Sequence, residues 1–275
     1  MTVPFRVPDF LWISDCHLDH ASQRARDAFR DRLAASAGAP VLLTGDSSIA
    51  STLIADLEFL ADAARRPLYF VLGNHDHYGS SIAAVRDTVL DLAARRPTIQ
   101  WLPPAGVVLL DETTALVGVD GWADGRHGEP LTTPLRLNDD RLIAEIAAQS
   151  TRASKLAVKQ ALADADAARL KVLLERAVAT SAHTIVVATH VPPFLEALPR
   201  AGRLAHPDWQ ALLVCGATGR TLKQFAATHP DREFLVLCGH THVATDVMIA
   251  PNLRCKVMGA RYGEPPVILS EAKEL

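Results

Sequence analysis

Leu68-Tyr69-Phe70-Val71-Leu72-Gly73-Asn74-His75-Asp76 is an apolar run that ends abruptly in a glycine and three polar side chains. The run reads as a buried β-strand, and the polar block as its carboxyl end. The same order recurs along the chain. Phe10 to Ser14 leads into Asp15-Cys16-His17, and Val41 to Thr44 into Gly45-Asp46. Thr184 to Thr189 leads into His190, and Phe234 to Cys238 into Gly239-His240-Thr241-His242. In an open α/β sheet the carboxyl ends of the strands share one edge, and ligand sites form there. Five strand ends tipped with Asp, Asn or His therefore point to one cluster drawn from distant parts of the chain.

The donor types identify that cluster as a metal site. Asp15 and Asp46, Asn74, and His17, His190, His240 and His242 form a mixed imidazole and carboxylate set, with His75 and Asp76 beside it. Such sets suit first-row metals such as Mn, Fe, Zn or Ni. Side chains at i and i+2 of a strand share a face, so Asp15 with His17, and His240 with His242, are expected to reach inward together. Cys16 and Thr241 then point away. One tetrahedral ion takes four ligands, so this larger set suits two ions sharing a bridging carboxylate.

In this order the blocks resemble the calcineurin-like metallophosphoesterase family, whose pattern is D-x-H, G-D-x-x-D, G-N-H-[DE], H, G-H-x-H. The match spans residues 15 to 242, and five blocks in sequence are far more specific than any one. The resemblance implies an α/β fold, an αββα sandwich of two mixed β-sheets flanked by helices, with the metal site at the strand C-terminal ends. It assigns Asp15, His17 and His242 to a first divalent or trivalent transition-metal ion. Asn74, His190 and His240 go to a second, and Asp46 bridges the two. His75 takes the catalytic histidine position and Asp76 that of the acid that orients it. Paired ions of this kind would supply a hydroxide for in-line attack on a phosphoryl group, since metal binding lowers the pKa of water to about 7. His75 would then protonate the leaving oxygen or stabilise its charge. One position departs from the pattern: Ile49 stands where the second block carries another acidic or amide residue. Ser47, Ser48 and Ile49 also lack the Arg of the protein Ser/Thr phosphatase branch, which counts against membership in it.

Taken singly, Asn74-His75 reads equally as a polar turn, and Asp46 as a helix N-cap before Ser47. Those readings do not explain why every core strand end carries a ligand type. His183, His206 and His229 lie outside the blocks and read as structural. His77 and Tyr78 read as a solvated loop rather than as substrate contacts.

The chain of 275 residues is 49% hydrophobic and 21% charged, as expected for a single domain over residues 1–275. Net charge is −3, so no global basic field favours nucleic acid or an anionic membrane. Arg126 and Arg261 are the candidates for a local basic patch. Cys16, Cys215, Cys238 and Cys255 form no C-x-x-C pair, and this usage fits a reducing cytoplasm. No signal peptide is read at Met1-Thr2-Val3-Pro4, and no apolar stretch is long enough to span a bilayer.

Helical spacing covers Gln23 to Ala35, Leu53 to Ala64 and Ile82 to Ala94. Short β runs follow at Ile99 to Leu102, Val107 to Leu110 and Leu116 to Val119. The loop Asp120 to Pro134, with Trp122, Arg126 and His127, leaves a strand end and is a candidate to overhang the cluster. Asn138 to Thr180 reads as two helices, the first capped by Asn138 or Asp139, with a break near Ser150-Thr151. Asp246 to Ala250 and Leu253 to Met258 flank a turn at Pro251-Asn252, and Val267 to Leu269 reads as an edge strand.

Three functions remain. One is a dinuclear phosphoesterase acting on a phosphorylated small molecule or nucleotide. Another is a phosphodiesterase or nuclease with the same metals. The third is a non-catalytic metal-binding scaffold, against which the intact set of histidines and Asn74 counts.

Overall fold

The central strands are buried on both faces, which is why their sequences are continuous apolar runs rather than alternations. The computed structural model describes residue 5, residues 7–35 and residues 38–265. Strands β1 (Leu11–Ile13), β2 (Val41–Thr44), β3 (Leu68–Val71) and β4 (Ile99–Trp101) form a parallel sheet in the order β1-β2-β3-β4. Leu11 pairs with Val41, Val41 with Leu68, and Leu68 with Ile99. Three helices make the crossovers: α1 (Gln23–Ala35), α2 (Leu53–Ala64) and α3 (Ile82–Arg95).

After the one-turn helix α4 (Leu102–Ala105), the chain enters a second sheet. Its strands are β5 (Val108–Leu109), β6 (Thr114–Gly118), β7 (Thr184–Ala188), β8 (Glu233–Cys238), β9 (Thr245–Ala250) and β10 (Leu253–Val257). They lie in the order β5-β6-β7-β8-β10-β9, with antiparallel pairing only at the two edges. The expected sandwich is present, with one sheet mixed and the other wholly parallel.

Period-two alternation divides each strand between two cores. Leu11, Ile13, Leu43 and Phe70 face an outer core shared with Phe29, Leu57 and Val89 of the first three helices. Trp12, Leu42 and Val71 face inward and meet Val186, Leu235 and Leu237 of the second sheet. Ile185, Val187, Phe234 and Val236 pack outward against Leu170, Leu174 and Leu222. These last come from α7 (Arg152–Val178) and α8 (Gly216–Thr228). Full burial of each such side chain contributes about 1.5–3 kcal/mol, a reserve that matters for the strained loops described below.

Local chemistry sets several boundaries. Ser81 caps α3 by accepting from the Ala84 amide, and Thr151 and Ser154 form a capping box that starts α7 after the expected break. The segment before that break differs from the expected single helix. It forms α5 (Asp139–Leu142) and α6 (Ala144–Ala147), because Ile143 is extended, bridged to Ser80 and fully buried. Tertiary burial overrides helix propensity there. The hairpin of β9 and β10 turns at Pro251-Asn252 as expected, while the proposed strand Val267 to Leu269 lies outside the described residues. No helix among the described residues is long and apolar enough to cross a membrane.

Candidate metal centre

The five ligand blocks meet where β1, β2, β3, β7 and β8 end, on the edge shared by both sheets. They do not meet through strand pleating. Asp15, His17, Asp46, His240 and His242 all have positive φ, from 39° to 69°. Asp and His tolerate this left-handed region better than most residues, yet each such position costs about 1–3 kcal/mol and persists only where its surroundings fix it. The surroundings here are the ligand loops themselves. The backbone amide of His240 donates to Asp15 Oδ1 at 3.0 Å, and that of His75 donates to Asp46 Oδ1 at 2.9 Å. Each acid is therefore held by the backbone of another ligand block. Gly73 and Gly239 permit this approach: a Cβ on Gly73 would strike the Asp46 carboxylate, and one on Gly239 the Asp15 carboxylate and the Ser14 hydroxyl.

Hydrogen bonding fixes which face His190 and His240 turn inward. His190 Nδ1 lies 2.9 Å from the Thr44 carbonyl, which only accepts, so Nδ1 carries the proton. Its Nε2 then faces two more acceptors, Asp46 Oδ2 at 3.3 Å and Asn74 Oδ1 at 3.2 Å. His240 follows the same logic, with Nε2 donating to the Leu212 carbonyl at 3.1 Å and Nδ1 facing Asn74 Oδ1 at 3.1 Å. The Asn74 amide nitrogen is committed elsewhere, to Tyr78 Oη at 3.0 Å and Asp139 Oδ1 at 2.8 Å. Its carbonyl is thereby locked toward the two rings.

Beside this group, His242 Nε2 lies 3.3 Å from Asp15 Oδ1 and 3.1 Å from His17 Nε2. His17 Nε2 is 3.8 Å from Asp46 Oδ2, and its buried Nδ1 has no hydrogen-bond partner. Lone pairs that face one another at these separations need a shared proton or a cation between them. Imidazole, carboxylate and amide oxygen are donors suited to transition-metal ions, so the residues fit the paired metals. His75 stands half-buried at the rim, its ring 4.7 Å from that of His17 and 4.2 Å from that of Tyr78.

The charges agree. Despite burial, His190, His75 and His17 hold Asp46 well below the usual carboxylate range. Burial opposes a charged His190, but Asp46 and Asp15 push it up to about 10. Burial pulls His17 and His240 down to about 4, which leaves them as neutral ligands.

Asp76 has a different position from the one implied for it. Its carboxylate accepts from the amides of Asp46, Ser48 and Gly73 and from the Ser47 hydroxyl, at 2.8–3.1 Å, and no hydrogen bond joins it to the His75 ring. It ties the Asp46 loop to the Gly73 loop. Burial and the Asp46 charge push it up to about 7 against the donors of Gly73, Ser48 and Ser47. Ile49 packs in an apolar cluster with Tyr78, Trp122 and Ile143, so its position supplies no ligand. His77 and Tyr78 are buried rather than solvated. Asp139 is no helix cap: it accepts from Tyr78 Oη at 2.7 Å and from Asn74.

A cavity of about 270 Å³ opens over Asp46, Asn74, His75, His240 and His242. The loop Asp120 to Pro134 does not line it. Trp122 is buried elsewhere, and Arg126 pairs with Asp124 and Asp164, each at 2.8 Å. Arg261 lines a neighbouring hollow beside α1 that touches the cluster only at His242. The cavity walls come instead from Arg136, Leu137, Arg203, Trp209 and Tyr262, which no motif singled out.

The profile of the family described as calcineurin-like phosphoesterase matches residues 8–244. The chain belongs to the calcineurin-like phosphoesterase family. Members of this family use a dinuclear metal centre, and the strand-end cluster supplies candidate ligands for one. Among solved structures, the chain is similar to phosphopantetheinyl hydrolase from Mycobacterium tuberculosis, with TM-score 0.60, 16% identity, and 93% of this chain and 90% of that one covered. It is also similar to a dimetal phosphatase from Danio rerio, with TM-score 0.56, 13% identity, and 91% and 87% covered. At these identities the likeness is one of fold. A search of curated proteins finds no match.

Proposed function

We propose that this chain is a metal-dependent phosphoesterase, a single catalytic domain that hydrolyses a phosphate ester of a small molecule or nucleotide. The observation that carries this reading is the ring of mutually facing acceptors: His190 Nε2, His240 Nδ1, Asn74 Oδ1 and Asp46 Oδ2 converge with no proton donor among them when His190 is neutral. Asn74, His190 and His240 would hold one ion, and Asp15, His17 and His242 the other, with Asp46 shared. When bound, such ions supply Lewis acidity, which neutralises charge on a phosphoryl group and acidifies water.

The chain's own residues do the rest. Asp139 and Tyr78 hold the Asn74 amide in one orientation, and Asp76 holds the loop that carries Asp46. His75 is our general acid, giving a proton from its ring to the departing oxygen. Its ring is at the cavity and makes no hydrogen bond among the described residues. Positioned acids of this kind contribute about 10²–10⁴-fold. Four free buried thiols, including Cys238 and Cys255 with sulfurs 3.8 Å apart, support a reducing compartment, and we take the cytoplasm as the place of action.

The test is metal content by elemental analysis, alongside hydrolysis of p-nitrophenyl phosphate and its bis-aryl diester. Two ions per chain with metal-dependent turnover is the expected result, and the preferred ester chooses monoesterase or diesterase. A protein that takes up no Mn, Fe, Zn or Ni after reconstitution would end this reading.

A further inference from the structure

Arg136 and Arg203 come from separate segments and line the cavity above the metal residues. Neither pairs with a carboxylate among the described residues, whereas Arg86, Arg126 and Arg254 each do. Both are nonetheless held in place. Arg136 Nη1 donates to the carbonyls of Thr133 at 3.0 Å and Leu135 at 2.7 Å, and its Nη2 and Nε make no bond to the protein among the described residues. The Arg203 guanidinium lies 5.0 Å from the centroid of the half-buried Trp209 ring, a cation–π contact that orients it. Among the described residues the one acid in the cavity wall is Asp46, which already faces His190.

Two oriented guanidiniums without acid partners form a recognition surface for planar or tetrahedral anions. The charge of one ester phosphate is met at the histidine cluster, so these two side chains answer to further negative charge. We propose that the substrate carries a second anionic group, a carboxylate or a phosphate, on the leaving-group side of the ester, and that Arg136 and Arg203 bind it. This rests on the phosphoesterase reading and narrows its substrate class to phosphate esters that carry a second anionic group. Trp209 acts as a positioning residue, through Arg203.

The test uses calorimetry on the manganese-loaded full chain with three flexible, non-hydrolysable probes: phosphonobutyrate, its neutral carboxamide and butane bisphosphonate. A charged hydrogen bond gained by the acid predicts binding about tenfold or more tighter than the amide. The whole difference should disappear in the exposed-site double variant Arg136→Gln/Arg203→Gln, whose fold is checked by thermal melting. The tighter of the two anionic probes identifies carboxylate or phosphate. Equal affinities for acid and amide, no binding of any probe, or a preference that survives in the double variant overturns the assignment. Hydrolysis of the matching phosphate esters is measured in parallel. Preferential binding without metal-dependent hydrolysis sinks the esterase reading and keeps the anion site, while hydrolysis without preference does the reverse.

Discussion

The two halves of the histidine cluster are built to different standards. In the inner half, Asn74, His190 and His240 each have a second hydrogen bond to the protein, to Asp139, Thr44 and Leu212 respectively. In the outer half, His17 Nδ1 is unpartnered, the His242 side chain is 20% exposed, and the rings are covered chiefly by the half-exposed Tyr262, 4.4 Å from His17 and 4.9 Å from His242. The inner half is pre-organised by the fold, and the outer half leaves more freedom to its side chains. Pre-organised ligands lose less entropy on binding, so the inner position should fill first and release last.

Asp46 belongs to both halves, so replacing it should erase the contrast. Asp46→Asn is expected to lower occupancy of both positions and to reduce turnover by more than about 100-fold, the upper end of what an outer-shell partner alone costs. Two tightly held ions in that variant would remove Asp46 from the shared position. His75→Ala should leave both halves filled yet lose about 10²–10⁴-fold in kcat; unchanged kcat would take His75 out of the chemistry. Asp139→Ala sharpens the comparison by freeing only the Asn74 amide. Metal titration should show about 10–100-fold weaker binding at the tighter position and little change at the other, whereas equal weakening of both would mean that Asp139 acts on the fold as a whole.

pH acts on the inner half through His190 and on the shared Asp46. In the metal-free protein the folded His190 is raised to about 10 from its ordinary 6.5. Its contribution to stability is complete below 6.5 and is lost as pH rises toward about 10. Asp46 is depressed, so its contribution is present above 3.8 and fades only as pH falls toward the lowered value. Thermal melts without metal should therefore decline from neutral to alkaline pH. Saturating manganese should flatten that limb if His190 is a ligand as proposed, because a bound ion would displace its proton. Superimposable pH profiles with and without metal would contradict this. The smallest effect expected is that of Tyr262→Ala. Ring contacts contribute about 0.5–1.5 kcal/mol, so stopped-flow chelation should show a few-fold faster release from the outer position and none from the inner.

Much of this arrangement was legible in the sequence, because a doubly buried strand writes itself as an apolar run and its polar end then stands out. Leu68 to Val71 followed by Gly73-Asn74-His75 is such a case. The means of convergence was not legible. Strand pleating is local and readable, whereas the positive φ of Asp15, His17, His240 and His242 is stabilised by contacts from across the chain. Tyr78 and Asp139 read in sequence as a solvated loop and a helix cap for the same reason: the 2.7 Å hydrogen bond that gives them their role joins residues 61 positions apart. Asp76, expected beside the His75 ring, lies behind the Asp46 loop because three backbone amides and a serine hydroxyl converge there. Arg136 and Arg203 sit in irregular segments, where no periodicity tells which way a side chain turns. Ile143 interrupts a helical pattern only because Ser80 and a buried cluster claim it.

The hydrogen bond from the His240 amide to Asp15 joins residues 225 positions apart. Closing an open loop of that length costs about 5 kcal/mol in chain entropy beyond a constant, and the fold meets it in steps, from Ser14 to Thr44, from Thr44 to His190 and from His190 to Gly239. During synthesis the amino-terminal sheet emerges with Asp15, His17, Asp46 and Asn74 long before β8 delivers His240 and His242. A nascent chain thus holds half a chelator and no finished cluster. Hydrolytic competence is in this sense a property of the completed chain, withheld by topology until nearly the whole fold is in place.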